Sequence, residues 1–113
     1  MARPAVRGTQ LSPHVVAAGA GARSLDRIIH EPARLLIVAL LSGAKEADFL
    51  FLQRETKLTK GNLSSHLIKL EEAEYIGIEK TFRGKIPLTL VRLTAKGREA
   101  FQGYRKTMNG LLR

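Results

Sequence analysis

The chain has 113 residues, room for one domain with a modest core, and 19 Lys and Arg stand against 10 Asp and Glu for a formal charge of +9. That excess points to a polyanionic partner, nucleic acid first and an anionic membrane surface second. The absence of cysteine excludes disulfides, thiolate metal sites and thiol redox sensing.

No apolar run reaches the roughly 20 residues of a membrane span. The N-terminus lacks the long apolar stretch of a signal peptide. A cytoplasmic protein with no membrane partner is therefore expected.

Residues 1–24 read as a flexible basic arm, rich in Ala and Gly, with Arg3, Arg7 and Arg23 and no acid. Two readings of it stay open: a tail with no role, and an arm that touches DNA. From residue 25 onward the pattern is that of a folded domain reaching to residue 113. Ser24 is placed to cap a short helix beginning at Leu25 and Asp26. Pro32 suits the first turn of a second helix, residues 33–41, which is apolar nearly all round and belongs at the centre of the fold. Ser42-Gly43 ends it. Asp48 is placed to cap a third helix, residues 49–57, with Phe49, Leu50 and Leu52 turned inward.

Leu58-Thr59 forms a turn, and Thr59 is a natural N-cap for the helix that follows. There Leu63, Leu67 and Leu70 share one face. Gly61, Ser65 and Lys69 take the opposite face, with Asn62 and Ser64 beside it. The outer face is expected to carry only small or basic residues. Residues 75–80 alternate as a strand, residues 87–93 form a second, and Arg83-Gly84-Lys85 turns between them. Thr94 caps a last helix whose stripe is Phe101, Tyr104, Met108, Leu111 and Leu112. Gly97, Gly103 and Gly110 each cost that helix about 1 kcal/mol relative to alanine, so it needs packing to persist.

The order is helix, turn, helix, two-stranded wing, helix. It gives an α+β, mainly helical fold: a winged helix-turn-helix with flanking dimerisation helices. Small side chains at Gly61, Ser64 and Ser65 let a helix sit deep in a DNA groove, while Lys60, Asn62 and Lys69 add reach. Asn pairs bidentately with adenine, and Lys reaches guanine acceptors or phosphate. An ordinary solvated face is the alternative. Arg83 and Lys85, with Lys80 near them, suit backbone phosphates, against the plainer reading of a solubilising turn. His66 stands between a satisfied boundary histidine and a base contact. Glu71 and Glu72 repel phosphate, so the end of the helix should leave the groove. His14, His30 and His66 are too scattered for a metal site. With no nucleophile–base pair, phosphate loop or acid dyad, neither catalysis nor a cofactor is expected.

Residues 25 to about 106 resemble the small stand-alone winged-helix transcriptional regulators of the MarR/ArsR-like kind. The residues that carry the resemblance are His30-Glu31-Pro32-Ala33-Arg34, the run from Leu58 to Leu67, the run from Lys69 to Ala73, and the run from Arg92 to Arg98. The resemblance implies a homodimer that binds double-stranded operator DNA, often to repress. It puts Thr59, Lys60, Asn62, Ser64, Ser65 and His66 at DNA-facing positions and matches Arg83 and Lys85 to the wing. The chain departs from the pattern at Glu74, where such families usually have glycine, and at Ser65, where relatives often carry a larger basic residue. The last helix runs beyond the small core. A subunit seam is therefore expected from Phe101, Tyr104, Met108, Leu111 and Leu112, with Leu25, Ile28 and Ile29 as a second patch. A winged-helix protein–protein adaptor and an RNA-binding module are the other readings.

Overall fold

Four helices and a three-stranded antiparallel sheet make up residues 25–112, the part of the chain that the structure, a computed structural model, describes. The arm at residues 1–24 and the expected cap at Ser24 lie outside the described residues. In chain order the elements are α1 (Pro32–Ser42), β1 (Ala47–Asp48), α2 (Phe49–Thr56), α3 (Lys60–Glu72), β2 (Ile76–Arg83), β3 (Ile86–Leu93) and α4 (Ala95–Leu111).

Each helix opens on a side chain that accepts from an otherwise unpaired backbone N–H. Asp48 accepts from Phe51 at 2.7 Å, Thr59 from Asn62 at 3.1 Å and Thr94 from Gly97 at 3.0 Å. At α1 the cap is Glu31, which accepts from the Arg34 N–H at 2.7 Å, with Pro32 in the first turn. The helix expected at Leu25 is instead a single turn. The Asp26 carboxylate accepts from the backbone of Ile28 at 2.8 Å and Ile29 at 3.1 Å, and the His30 N–H bonds the Asp26 carbonyl at 2.7 Å. The turn cannot run on into α1 because Pro32 disfavours helical backbone at Glu31, which is extended.

The core gathers Ile37, Val38 and Leu41 of α1, Leu52 of α2, and Leu63, Leu67 and Leu70 of α3 against Ile76, Val91 and Leu93 of the sheet. Helix α1 lies beside this core on one face only, since Leu36 is 41% exposed. Leu50, expected inside, is 67% exposed. It sits about 200° around the helix from Leu52 and cannot share that residue's buried face.

Strand β3 runs between β1 and β2. The pairing Arg83↔Ile86 leaves Gly84-Lys85 as the hairpin turn, with φ of 64° at Gly84. Positive φ at the first turn residue alone is the type II′ pattern that suits a hairpin's twist. Strand β1, which pairs Ala47 with Val91 and Asp48 with Leu90, has no counterpart in the sequence reading; two residues carry no periodicity.

The end of α3 resolves the departure at residue 74. Tyr75 N–H bonds the Leu70 carbonyl at 2.9 Å and Glu74 N–H bonds that of Glu71 at 2.8 Å, a Schellman ending. Glu74 takes the left-handed position with φ of 66°, so the backbone shape that glycine usually provides is built here with a glutamate. Replacing Glu74 with glycine is expected to stabilise the chain by about 0.5–1 kcal/mol. The exposed Lys96 ion pair it loses contributes little. An unchanged or lowered Tm on thermal unfolding would contradict this reading of the turn.

Helix α4 folds back on the same subunit. Phe101 and Tyr104 are buried, Met108 packs against the core, and Ile29 is fully buried near the opposite end of the chain. His30 Nδ1 and the Tyr104 hydroxyl share a hydrogen bond of 2.8 Å. Ile29, Phe101 and Tyr104 therefore need no second subunit to account for their apolar character, which corrects the expectation that the stripe has no packing within one chain. The Tyr75 hydroxyl donates to the Asp26 carboxylate. Burial first, and then that bond, push the Tyr75 hydroxyl from 10.0 up to about 12. The folded value is raised, so its contribution to stability is whole below pH 10 and fades as pH climbs toward 12.

Candidate nucleic-acid interface

Burial of Leu63, Leu67 and Leu70 decides which way α3 turns its other residues. Gly61 and Ser65 point straight away from the core and are exposed. Asn62, His66 and Lys69 lie on one flank of the helix; Lys60, Ser64 and Ile68 lie on the other. The second flank faces the hairpin across an open groove of about 830 Å³. Lys60, Ser64 and Ile68 line it on the helix side, and Ile78, Lys80 and Leu88 on the hairpin side.

Two residues break the expectation of a small or basic outer face. Ile68 is 52% exposed, and Glu72 is exposed as the last residue of the helix. Ile68 sits five positions after Leu63, off the buried stripe, so its exposure follows from spacing alone.

His66 is held rather than free. Arg34 Nη1 donates to His66 Nδ1 at 3.2 Å, and Glu31 Oε1 lies 3.9 Å from the same nitrogen. Arg34 also donates through Nε to the Ile28 carbonyl at 2.6 Å. One guanidinium thus ties the turn at residues 25–31 to the flank of α3. Arg34 entered the sequence reading only through the resemblance; its local pattern gives no sign of this bridge, which spans 32 positions.

The hairpin separates the basic residues by face. Ile78, Lys80 and Phe82 alternate onto one side, with Lys80 paired to Thr89 and Phe82 to Pro87. Ile76 and Val91, on this same side, are buried in the core with Leu67 and Leu70 of α3, so this side is turned to α3. Arg83, paired with Ile86, falls on the reverse side, and Lys85 stands in the turn. Among the described residues, Lys60, Lys69, Lys80, Arg83 and Lys85 pair with no acid. The ion pairs form elsewhere: Arg92 with Glu46 and Glu79 at 3.0 Å each, and Lys96 with Glu74 at 3.2 Å. The cations of the helix and the wing tip are therefore not neutralised by an acid among the described residues, while at the base of the wing Glu79 first, and then Glu46, raise the pKa of the Arg92 guanidinium.

Comparison with known proteins gives this arrangement a family. Residues 33–112 match the family model described as a winged helix DNA-binding domain. An uncharacterized protein of Methanocaldococcus jannaschii is 38% identical over 79 residues, 69% of this chain and 85% of that protein. The structure of a transcriptional regulator homologue from Pyrococcus horikoshii superposes with a TM-score of 0.75 at 28% identity, over 83% of this chain and 91% of that one. A PadR family transcriptional regulator from Eggerthella lenta superposes with a TM-score of 0.59 over 86% of this chain and 90% of that one; at 18% identity the likeness is one of fold.

Proposed function

The chain belongs to the winged helix DNA-binding domain family, and from that premise we propose that it is a transcriptional regulator that binds duplex DNA as a homodimer and acts by repression, without enzymatic activity. The observation that carries the reading is the juxtaposition of an uncluttered helix face, Gly61 and Ser65 outermost, with the outer half of the wing, whose cations Lys80, Arg83 and Lys85 have no acidic partner among the described residues. In this reading α3 enters the major groove by its N-terminal half. Thr59, Lys60, Asn62, Ser64 and Ser65 face the DNA, Lys69 lies at the margin, and Lys80, Arg83 and Lys85 meet the backbone. His66, engaged by Arg34, orients the helix beside the groove.

The test is the salt dependence of duplex binding. Each phosphate contact contributes about −0.9 to the slope of log affinity against log salt. The Arg83→Ala/Lys85→Ala double variant is expected to weaken binding to all sequences alike and to flatten the slope by about 1.8. A slope equal to the parent's would remove the wing from the interface.

The homodimer is supported by the apolar surface that one chain leaves uncovered. Leu112 is 76% exposed, Leu111 and Met108 are half-buried, and Leu25 and Ile28 are half-buried at the other end of the chain. A two-fold seam there would set two α3 helices about one DNA turn apart, roughly 34 Å, over a pseudo-palindromic site. Sedimentation equilibrium should find a dimer at micromolar concentration and a monomer for Met108→Glu/Leu112→Glu. A parent chain that sediments as a monomer rules the seam out.

A further inference from the structure

We propose that Phe82 at the wing tip is a DNA-deforming side chain, which presses its ring into a base step of the minor groove while Arg83 and Lys85 hold the phosphates on either side. The proposal rests on the DNA-binding reading above and adds to the wing a function other than neutralising charge.

Phe82 and Ile86 are each 67% exposed at the hairpin tip, Ile86 next to the Gly84-Lys85 turn and Phe82 one residue further back, in the pair with Pro87. Neither belongs to the core or packs against it. Single exposed apolar residues are ordinary on a protein surface. Two at one hairpin tip, with the exposed Pro87 opposite Phe82, make the end of the wing apolar on both faces. The same tip carries Lys80, Arg83 and Lys85 without acidic partners among the described residues. A surface that is apolar at its point and cationic around it fits a partner that is anionic outside and apolar within.

Duplex DNA has that layout, and the register chooses the side chain that meets it. Phe82 shares its face with Ile78 and Lys80, the face turned to α3, whereas Ile86 is on the reverse. DNA seated on α3 therefore meets Phe82. The minor groove, about 6 Å wide, is too narrow for a two-stranded ribbon but admits side chains from its turn. Apolar wedges there unstack base steps and bend the duplex, most easily at pyrimidine–purine steps.

The experiment uses the full chain and a duplex selected from random sequence, with 2-aminopurine placed in turn at successive steps. Binding is expected to raise fluorescence at one step or two adjacent steps beside the α3 site, as the base unstacks. Phe82→Ala should abolish the rise and weaken binding roughly tenfold while leaving the salt slope unchanged. Phe82→Trp should restore both. Binding with no rise at any position, or a rise that survives in Phe82→Ala, overturns the proposal. So does a Phe82-dependent binding of anionic phospholipid vesicles without any change at the DNA bases, which would make the tip a membrane contact. Failure of the parent chain to bind duplex DNA at all is a different result, and it would overturn the DNA reading itself.

Discussion

Replacing Gly97 with alanine is expected to destabilise the fold by about 3 kcal/mol, a large part of the 5–15 kcal/mol that holds a domain of this size together. A Cβ at residue 97 would stand 2.1 Å from the Tyr75 carbonyl oxygen, 2.9 Å from its carbon and 3.0 Å from Leu93 Cδ1. The obstacle is backbone, fixed from both sides. Tyr75 N–H closes the end of α3, and its carbonyl accepts from Thr94 N–H at 3.0 Å. Thr94 Oγ1 adds a bond to the Glu74 carbonyl at 2.7 Å. The start of α4 thus lies flat on the exit turn of α3, and only a residue without a side chain permits it. The better helix propensity of alanine, about 1 kcal/mol, is outweighed. A Tm lower by roughly 10–20 °C is the expected reading. A Tm equal to the parent's would show that the two segments do not touch.

Gly61→Glu is expected to do the reverse to stability and far more to binding. Nothing lies within 4 Å of a Cβ built at Gly61, so the fold accepts the side chain. Glycine is replaced by a better helix former, and a carboxylate is added to the first turn of a helix that has no acid there. Together these stabilise by about 1 kcal/mol. The same carboxylate stands at the outermost point of α3, against the groove and its phosphates. Like charges brought together at an interface cost several kcal/mol, so duplex affinity should fall at least about 100-fold. A variant that is more stable than its parent and binds DNA equally well would take the N-terminal half of α3 out of the interface.

What the sequence disclosed and what it withheld divide by physical range. Thr59 and Thr94 were legible as caps because a cap is settled within three residues. Leu63, Leu67 and Leu70 were legible because burial follows the helical period. The hairpin turn at Gly84 was legible for the same local reason. Long-range approach left no such mark. Gly97, Gly103 and Gly110 look alike in sequence, yet only Gly97 meets another segment, while nothing lies near the other two. The stripe at Phe101 and Tyr104 announced an apolar face but not its receiver, which proved to be the chain's own core and, at Tyr104, His30. The turn at Asp26 was mistaken for a helix because a local cap competes with helical continuation, and Pro32 decides the contest.

At the candidate site the basic residues could be named from sequence, but their division between two hairpin faces could not. That division depends on the register Arg83↔Ile86, which becomes visible only when the strands are paired. Ile68 and Phe82 went unnoticed because both fall outside the buried stripes by which apolar residues are sorted.

The central claim is that the N-terminal half of α3 and the wing tip together form the DNA surface. Amide chemical shifts followed by NMR, as duplex DNA is titrated into the labelled chain, test it most directly. The largest changes should cluster at residues 59–65 and 80–86, with the reverse face around Glu46 and Arg92 and the body of α4 little affected. Shifts concentrated on α4 or around Arg92 instead, or no shifts at any residue, would contradict it.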